Sequence, residues 1–368
     1  MQNKIIGLLT KLTKIPSSYP KEKKISTFLE SELKSRGFKI TKQKVSEDRY
    51  NIFAEKGIGA KPILFYGHMD TVSIHDSKKW KTDPFTLKIN GDNAYGLGVS
   101  DMKSGISAFI EAATDTSTPV KIFLAIDEEN ISEGSWSAIK SNRRFFNDVE
   151  LIISAEPSFG LGLNSITRER TGRCIYEIKF IGKTKHIIRY KEAVDAIQKL
   201  CNFGYKFYSK RDKLFKSKDT VAQLRLVKAE SNGMSVCGEA KAEVEVMLGS
   251  TDSIVSVRKQ LQTLTNDKVE IKSRKTPYLE GYAFKVFPYE KIISKIIKNN
   301  TEKEMKLYAR KSVGDDNVLA TLKIPVITWG TEGGNEHTAN EFVKISSLLT
   351  LTKMYKELLN KIGEINRK

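Results

Sequence analysis

Residues 62–70 read Pro62-Ile63-Leu64-Phe65-Tyr66-Gly67-His68-Met69-Asp70. A short apolar run ends on a histidine and an aspartate. The same arrangement recurs along the chain. The run 120–126 leads into Asp127-Glu128-Glu129, and the run 150–154 into Ala155-Glu156-Pro157. The run 325–329 precedes Glu336-His337-Thr338, and a further motif stands at Ser100-Asp101-Met102-Lys103. Short runs rich in branched apolar residues predict buried strands. Donor side chains at the carboxyl ends of strands are what an open α/β sheet presents to a substrate. Together the motifs supply two histidines and a set of carboxylates, the donor inventory of two-metal hydrolytic chemistry.

Helices alternate with these strands. Ile5, Leu8, Leu9 and Leu12 share one face of an N-terminal helix. Ile25, Phe28, Leu29 and Leu33 mark a second helix over 20–36, which Gly37 stops. Ile106, Phe109 and Ile110 mark a third over 104–113. This alternation predicts an α/β fold, with a mostly parallel sheet and helices on both faces. Beyond Glu156 the pattern changes. Strands are expected at 175–181, 221–228, 240–248 and 268–272, and helices at 191–203 and 252–264. That order, βαββαβ, predicts a ferredoxin-like α+β unit. The chain then returns with a helix at 289–299, the 325–329 strand and a helix at 346–362. The expected organisation is a discontinuous catalytic domain, 1–173 and 281–368, with an inserted domain at 174–280.

The 368 residues suit two domains. No apolar run approaches a membrane span, and the N-terminal segment is too interrupted by lysine for a signal peptide. Cys174, Cys201 and Cys237 are scattered, with no CxxC, which predicts reduced thiols and a cytoplasmic setting. The net charge of +18 favours anionic partners. Tyr205-Lys206-Phe207-Tyr208-Ser209-Lys210-Arg211 interleaves aromatics with bases, but lysine is spread over the whole chain and no nucleic-acid module appears. A solvated helix end is expected there, not a nucleic-acid site. His75 is expected to be a surface histidine. Gly96 and Gly98 are expected to serve tight backbone packing, because no GKS or GKT follows them.

The ordered set His68-Met69-Asp70-Thr71-Val72, Tyr95 to Gly105, Glu128-Glu129, Glu156-Pro157 and His337-Thr338-Ala339-Asn340-Glu341 resembles the di-zinc aminoacylase and carboxypeptidase family. That family includes acetylornithine deacetylase, succinyl-diaminopimelate desuccinylase, carboxypeptidase G and several dipeptidases. The resemblance runs nearly end to end. It implies two Zn²⁺ per subunit, with Co²⁺ or Mn²⁺ able to substitute. His68 and Glu156 would hold one metal, Glu129 and His337 the other, and Asp101 would bridge them with its two oxygens and share a metal-activated bridging water. Glu128 would be the general base rather than a ligand. Asp70 would accept a hydrogen bond from the His68 ring. A cis peptide is implied at Asp101-Met102.

The resemblance also implies that His186 reaches the partner subunit's active site through a homodimer built on the inserted lid domain. Met234, Cys237 and Met247 stand where an Asn, a Pro and a substrate-binding Arg are common in the family. Arg170 and Arg173 are therefore expected to supply a carboxylate fork, and Asp315 matches a family Asp near the pocket. The expected function is zinc-dependent cleavage of a small anionic N-acyl amino acid, of deacetylase or desuccinylase type. Glu156 resembles that branch. The runner-up is a dipeptidase or carboxypeptidase acting on a peptide bond. The rival from another class is a metal-dead scaffold for an acidic partner, and the intact donor set argues against it.

Overall fold

The structure is a computed structural model describing residues 2–57, 59, 61–74, 76–286 and 288–366, so His75 lies outside the described residues. The chain divides into two compact units: Met1–Arg168 with Phe284–Tyr308 and Gly314–Lys368, and Glu169–Ala283 with Ala309–Val313.

The first unit is built on a mixed sheet. Its central strands, in order, are Val120–Ala125, Ile63–His68, Leu151–Ser154 and Val326–Thr328, all parallel. Every residue in them is buried, as a strand covered on both faces requires. The flanks differ from the mostly parallel sheet expected. Lys39–Ser46 and Arg49–Lys56 form an antiparallel hairpin whose second strand adds antiparallel to Val120–Ala125. At the other side Thr167 pairs antiparallel with Thr328. The hairpin turns in two residues, with Asp48 at φ +57°, and so short a connection permits only antiparallel pairing. Its first strand, KITKQKVS, has no fully buried residue, so it carries no apolar signal.

The helices bury the stripes expected of them. Gln2–Thr13 buries Ile5, Leu8, Leu9 and Leu12, and Lys23–Ser35 buries Ile25, Leu29 and Leu33. Tyr289–Thr301 contributes Ile293, Ile296 and Ile297. Ile345–Asn366 adds Leu348, Leu351, Met354, Tyr355, Leu358 and Leu359 to the same apolar core. Among the described residues no helix is long and apolar enough to cross a membrane.

The second unit orders four antiparallel strands as Val221–Ala229, Glu239–Leu248, Gly172–Ile181 and Val269–Ile271. Helices Ala196–Leu214 and Ile254–Gln262 share its separate core with Tyr176, Ile178, Phe180, Ala242, Val244 and Val246. The Val221–Ala229 strand is a sheet edge, with Val221 and Val227 both exposed.

Candidate metal centre

Three of the four central strands of the first unit end in a donor or lead into one within a few residues. Ile63–His68 delivers His68, and the loop after Val120–Ala125 carries Glu128 and Glu129. Leu151–Ser154 is followed by Ala155 and Glu156. Asp101 lies just before the Ser104–Thr114 helix, and its peptide to Met102 is cis. Gly98 opens this segment at φ +73°, and a Cβ there would stand 2.4 Å from Thr71 Cγ2. Only glycine meets both conditions. His337 sits between the Gly333–Gly334 and Phe342–Lys344 strands.

These donors converge. His68 Nε2 is 3.0 Å from Asp101 Oδ1, and His337 Nε2 is 3.4 Å from Asp101 Oδ2. Asp101 therefore turns one oxygen to each histidine. His337 Nε2 also lies 3.1 Å from Glu129 Oε2. Donor atoms of His68, Asp101 and Glu129 fall within 4.8 Å of one another, and so do those of His68, Glu128 and Glu156. Asp127 shapes the loop that holds the glutamates. It stands at φ +70°, its Oδ2 accepts the Glu133 amide at 3.0 Å, and its Oδ1 accepts from Arg49 at 3.0 Å.

The charge balance calls for a cation. Among the described residues, Asp101, Glu128 and Glu129 form no ion pair with lysine or arginine. Burial drives the Glu128 carboxyl well above the usual range, and Glu156 and Glu129 push the same way against His68. Burial likewise pushes Asp70 up to about 7. For Asp101, burial favours the neutral form, but hydrogen bonds from His337 and His68 outweigh it and hold the carboxyl below its ordinary value. Hydrogen bonds to Asp101 and Glu129 lift His337 to about 11. One carboxylate oxygen, Glu129 Oε1, is buried with no hydrogen-bond partner. Buried carboxylates are tolerated when paired or bound to a metal. An imidazole and carboxylate set of this kind fits a divalent cation such as zinc.

Other expected site residues stand differently. The His68 Nδ1 contact goes to the Asp70 main-chain carbonyl at 3.0 Å, while the Asp70 carboxylate stays 3.8 Å away. That carboxylate instead accepts the Glu129 amide at 2.9 Å, because the Asp127–Glu129 loop brings an unsatisfied N–H to it. Asp315 is fully buried, held by the hydroxyls of Tyr66 at 2.7 Å and of Ser135, so it braces the interior instead of offering a face to substrate. In the second unit, Arg170 is 1% exposed. Arg173 reaches Glu245 through Nε at 2.7 Å and Nη2 at 2.6 Å. It stands directly across the sheet from Met247. His186 caps a short 3₁₀ turn, its Nδ1 accepting the Ile188 amide at 3.3 Å. Sequence reading gave no role to Arg49, whose setting, Asp48-Arg49-Tyr50, looks like an ordinary turn.

Residues 64–361 match the model of Peptidase family M20/M25/M40. The succinyl-diaminopimelate desuccinylase of Ruthia magnifica subsp. Calyptogena magnifica is 26% identical, over 98% of this chain and 99% of its own. Aminopeptidase PepT from Bacillus cereus superposes with a TM-score of 0.79 at 15% identity, over 99% of both chains. The YXEP protein of Bacillus subtilis, described as a dinuclear metal binding peptidase, gives 0.73 at 16% identity, over 99% of this chain and 98% of that one.

Proposed function

The chain belongs to peptidase family M20/M25/M40, and we propose that this metal-dependent hydrolase is a two-zinc enzyme cleaving the amide bond of a small N-acyl amino acid. One observation carries the reading: Asp101 faces His68 with one oxygen and His337 with the other, at 3.0 and 3.4 Å. A single carboxylate so placed can serve two cations. His68 and Glu156 are assigned to one metal, and Glu129 and His337 to the other. When bound, the cations would polarise the scissile carbonyl and make water a stronger acid. A Glu128 carboxylate oxygen takes the proton of the attacking water and hands it to the leaving nitrogen. The Asp70 carbonyl fixes the His68 ring, and its carboxylate fixes the backbone of Glu129. The three cysteines form no disulfide, which supports a cytoplasmic setting.

The substrate class rests on the desuccinylase relatives and on the basic field of the chain. Arg173 is the better candidate for the carboxylate clamp, because Arg170 is buried. Arg173 lies opposite Met247, the position where the family commonly has its substrate Arg, and a substrate carboxylate would displace Glu245 from its fork. Assay of N-acetyl, N-succinyl and dipeptide substrates with Zn²⁺ or Co²⁺ is expected to favour an N-acyl amino acid. It is also expected to show a KM raised about 10-fold or more in Arg173→Ala, the loss of a charge-assisted pair worth about 1.5–3 kcal/mol. Dipeptide preference by more than about 10-fold in kcat/KM, or about 1.4 kcal/mol, would move the chain to the dipeptidase reading.

We assign the second unit the roles of lid and dimerisation element. Its exposed strand edge at Val221–Ala229 and the exposed Ile187, Ile188, Tyr190 and Met234 around His186 support this. In heterodimers of His186→Ala and Glu128→Gln chains one hybrid site would be complete, so mixing the two is expected to restore part of the activity. No recovery in verified heterodimers would remove His186 from the reaction.

A further inference from the structure

We propose that Glu341 is a positioning residue that sets the separation of Asp101 and His337, with Glu336 as its outer support; this rests on the reading of those two residues as metal ligands. Glu341 is 1% exposed, and its carboxylate accepts three backbone amides. Oε2 takes Gly98 N–H at 2.7 Å, and Oε1 takes Ser100 and Asp101 N–H at 2.8 and 2.9 Å. The Glu341 carbonyl also accepts the Gly96 amide at 3.1 Å. The segment bearing Asp101 is thus held by side chain and main chain of one residue. A second tie joins the same two segments, from Ser100 Oγ to Glu336 Oε1 at 2.7 Å.

Between these two glutamates lies His337. Its turn is stiffened from within. Asn335, His337 and Asn340 all stand near φ +61°, the Asn335 side-chain Nδ2 donates to the Asn340 carbonyl at 3.1 Å, and the Thr338 hydroxyl donates to the Asn335 carbonyl at 3.0 Å. A braced turn fastened at both ends to the Asp101 segment leaves His337 Nε2 and Asp101 Oδ2 little freedom to part. A carboxylate meeting three amides is a set of charge-assisted bonds with defined direction. Glutamine would turn an NH₂ group toward N–H donors and lose at least one of them.

The expected effect falls on metal affinity, more at the site that His337 completes than at the other. Chelator-treated protein is titrated calorimetrically with Zn²⁺, in parallel with His337→Ala, Glu341→Gln and Glu336→Gln. The unaltered chain should take two equivalents and His337→Ala should lose one. Glu341→Gln should bind the equivalent that His337 completes about 10–100-fold more weakly, the usual cost of removing a residue that orients a ligand, and the other equivalent more weakly by less, because Asp101 serves both. Glu336→Gln should move the equivalent that His337 completes by less. A purely structural role would lower the melting temperature of the metal-free chain without splitting the two affinities. Both equivalents at full affinity in Glu341→Gln would overturn the proposal. If that variant does not fold, an unchanged affinity at the His337 site in the half-buried Glu336→Gln overturns it. Two full equivalents in His337→Ala would instead overturn the ligand assignment underneath, a separate failure.

Discussion

Glu128→Gln is expected to lower turnover about 10²-fold or more, roughly 2.7 kcal/mol of activation free energy, while two metal equivalents stay bound. The side chain keeps its shape and loses its ability to take a proton. The fold should tolerate the change, because burial, Glu156 and Glu129 all disfavour a charge on Glu128, and glutamine is neutral. The measurement is metal content by elemental analysis beside steady-state kinetics. Glu128 also has an oxygen within reach of His68 and Glu156. Loss of one metal in the variant would therefore make Glu128 a ligand and end its assignment as the base.

Arg49→Met is expected to destabilise the metal-bearing unit by about 3–5 kcal/mol, the cost of removing one partner from a buried ionic cluster. Arg49 donates to both Glu22 oxygens and to Asp127, and its guanidinium lies 4.6 Å from the Tyr19 ring centre. Glu22 and Asp127 are both fully buried, so each would be left with an uncompensated charge. Lysine could not restore the fork. Denaturant unfolding of the single variant and of Arg49→Met with Glu22→Gln would measure this. Part of the loss should return in the pair. A loss below about 1 kcal/mol, the scale of an exposed ion pair, would show that the cluster is solvated. Because Asp127 fixes the loop of Glu128 and Glu129, turnover should fall as well.

How much could be read in advance follows from what each residue contacts. The runs around Ile63–His68, Val120–Ala125, Leu151–Ser154 and Val326–Thr328 were legible because buried parallel strands are apolar throughout. His68, Glu128, Glu129 and Glu156 stood out because they end those runs or follow them within a few residues. The Lys39–Lys56 hairpin was not legible, since its outer strand is polar and partly exposed. Nor was the role of Asp70. Two residues from His68 in sequence, it spends its carboxylate on Glu129, which is distant in the chain. Arg173 shows the same limit. Its charge suggested a substrate fork, but only strand register reveals Glu245 and Met247 beside it.

The division of the first unit into separate stretches of chain has a consequence for synthesis. The Leu151–Ser154 strand emerges from the ribosome long before Val326–Thr328, its neighbour in the sheet. At about 5–20 residues per second the gap is roughly ten to thirty seconds. Over that interval an apolar strand edge has no partner from its own chain. The Glu169–Ala283 stretch holds all four strands of the second unit's sheet and both helices, so that core can close while the earlier one still waits. The nascent chain therefore carries an unpaired apolar edge at Leu151–Ser154 throughout this window.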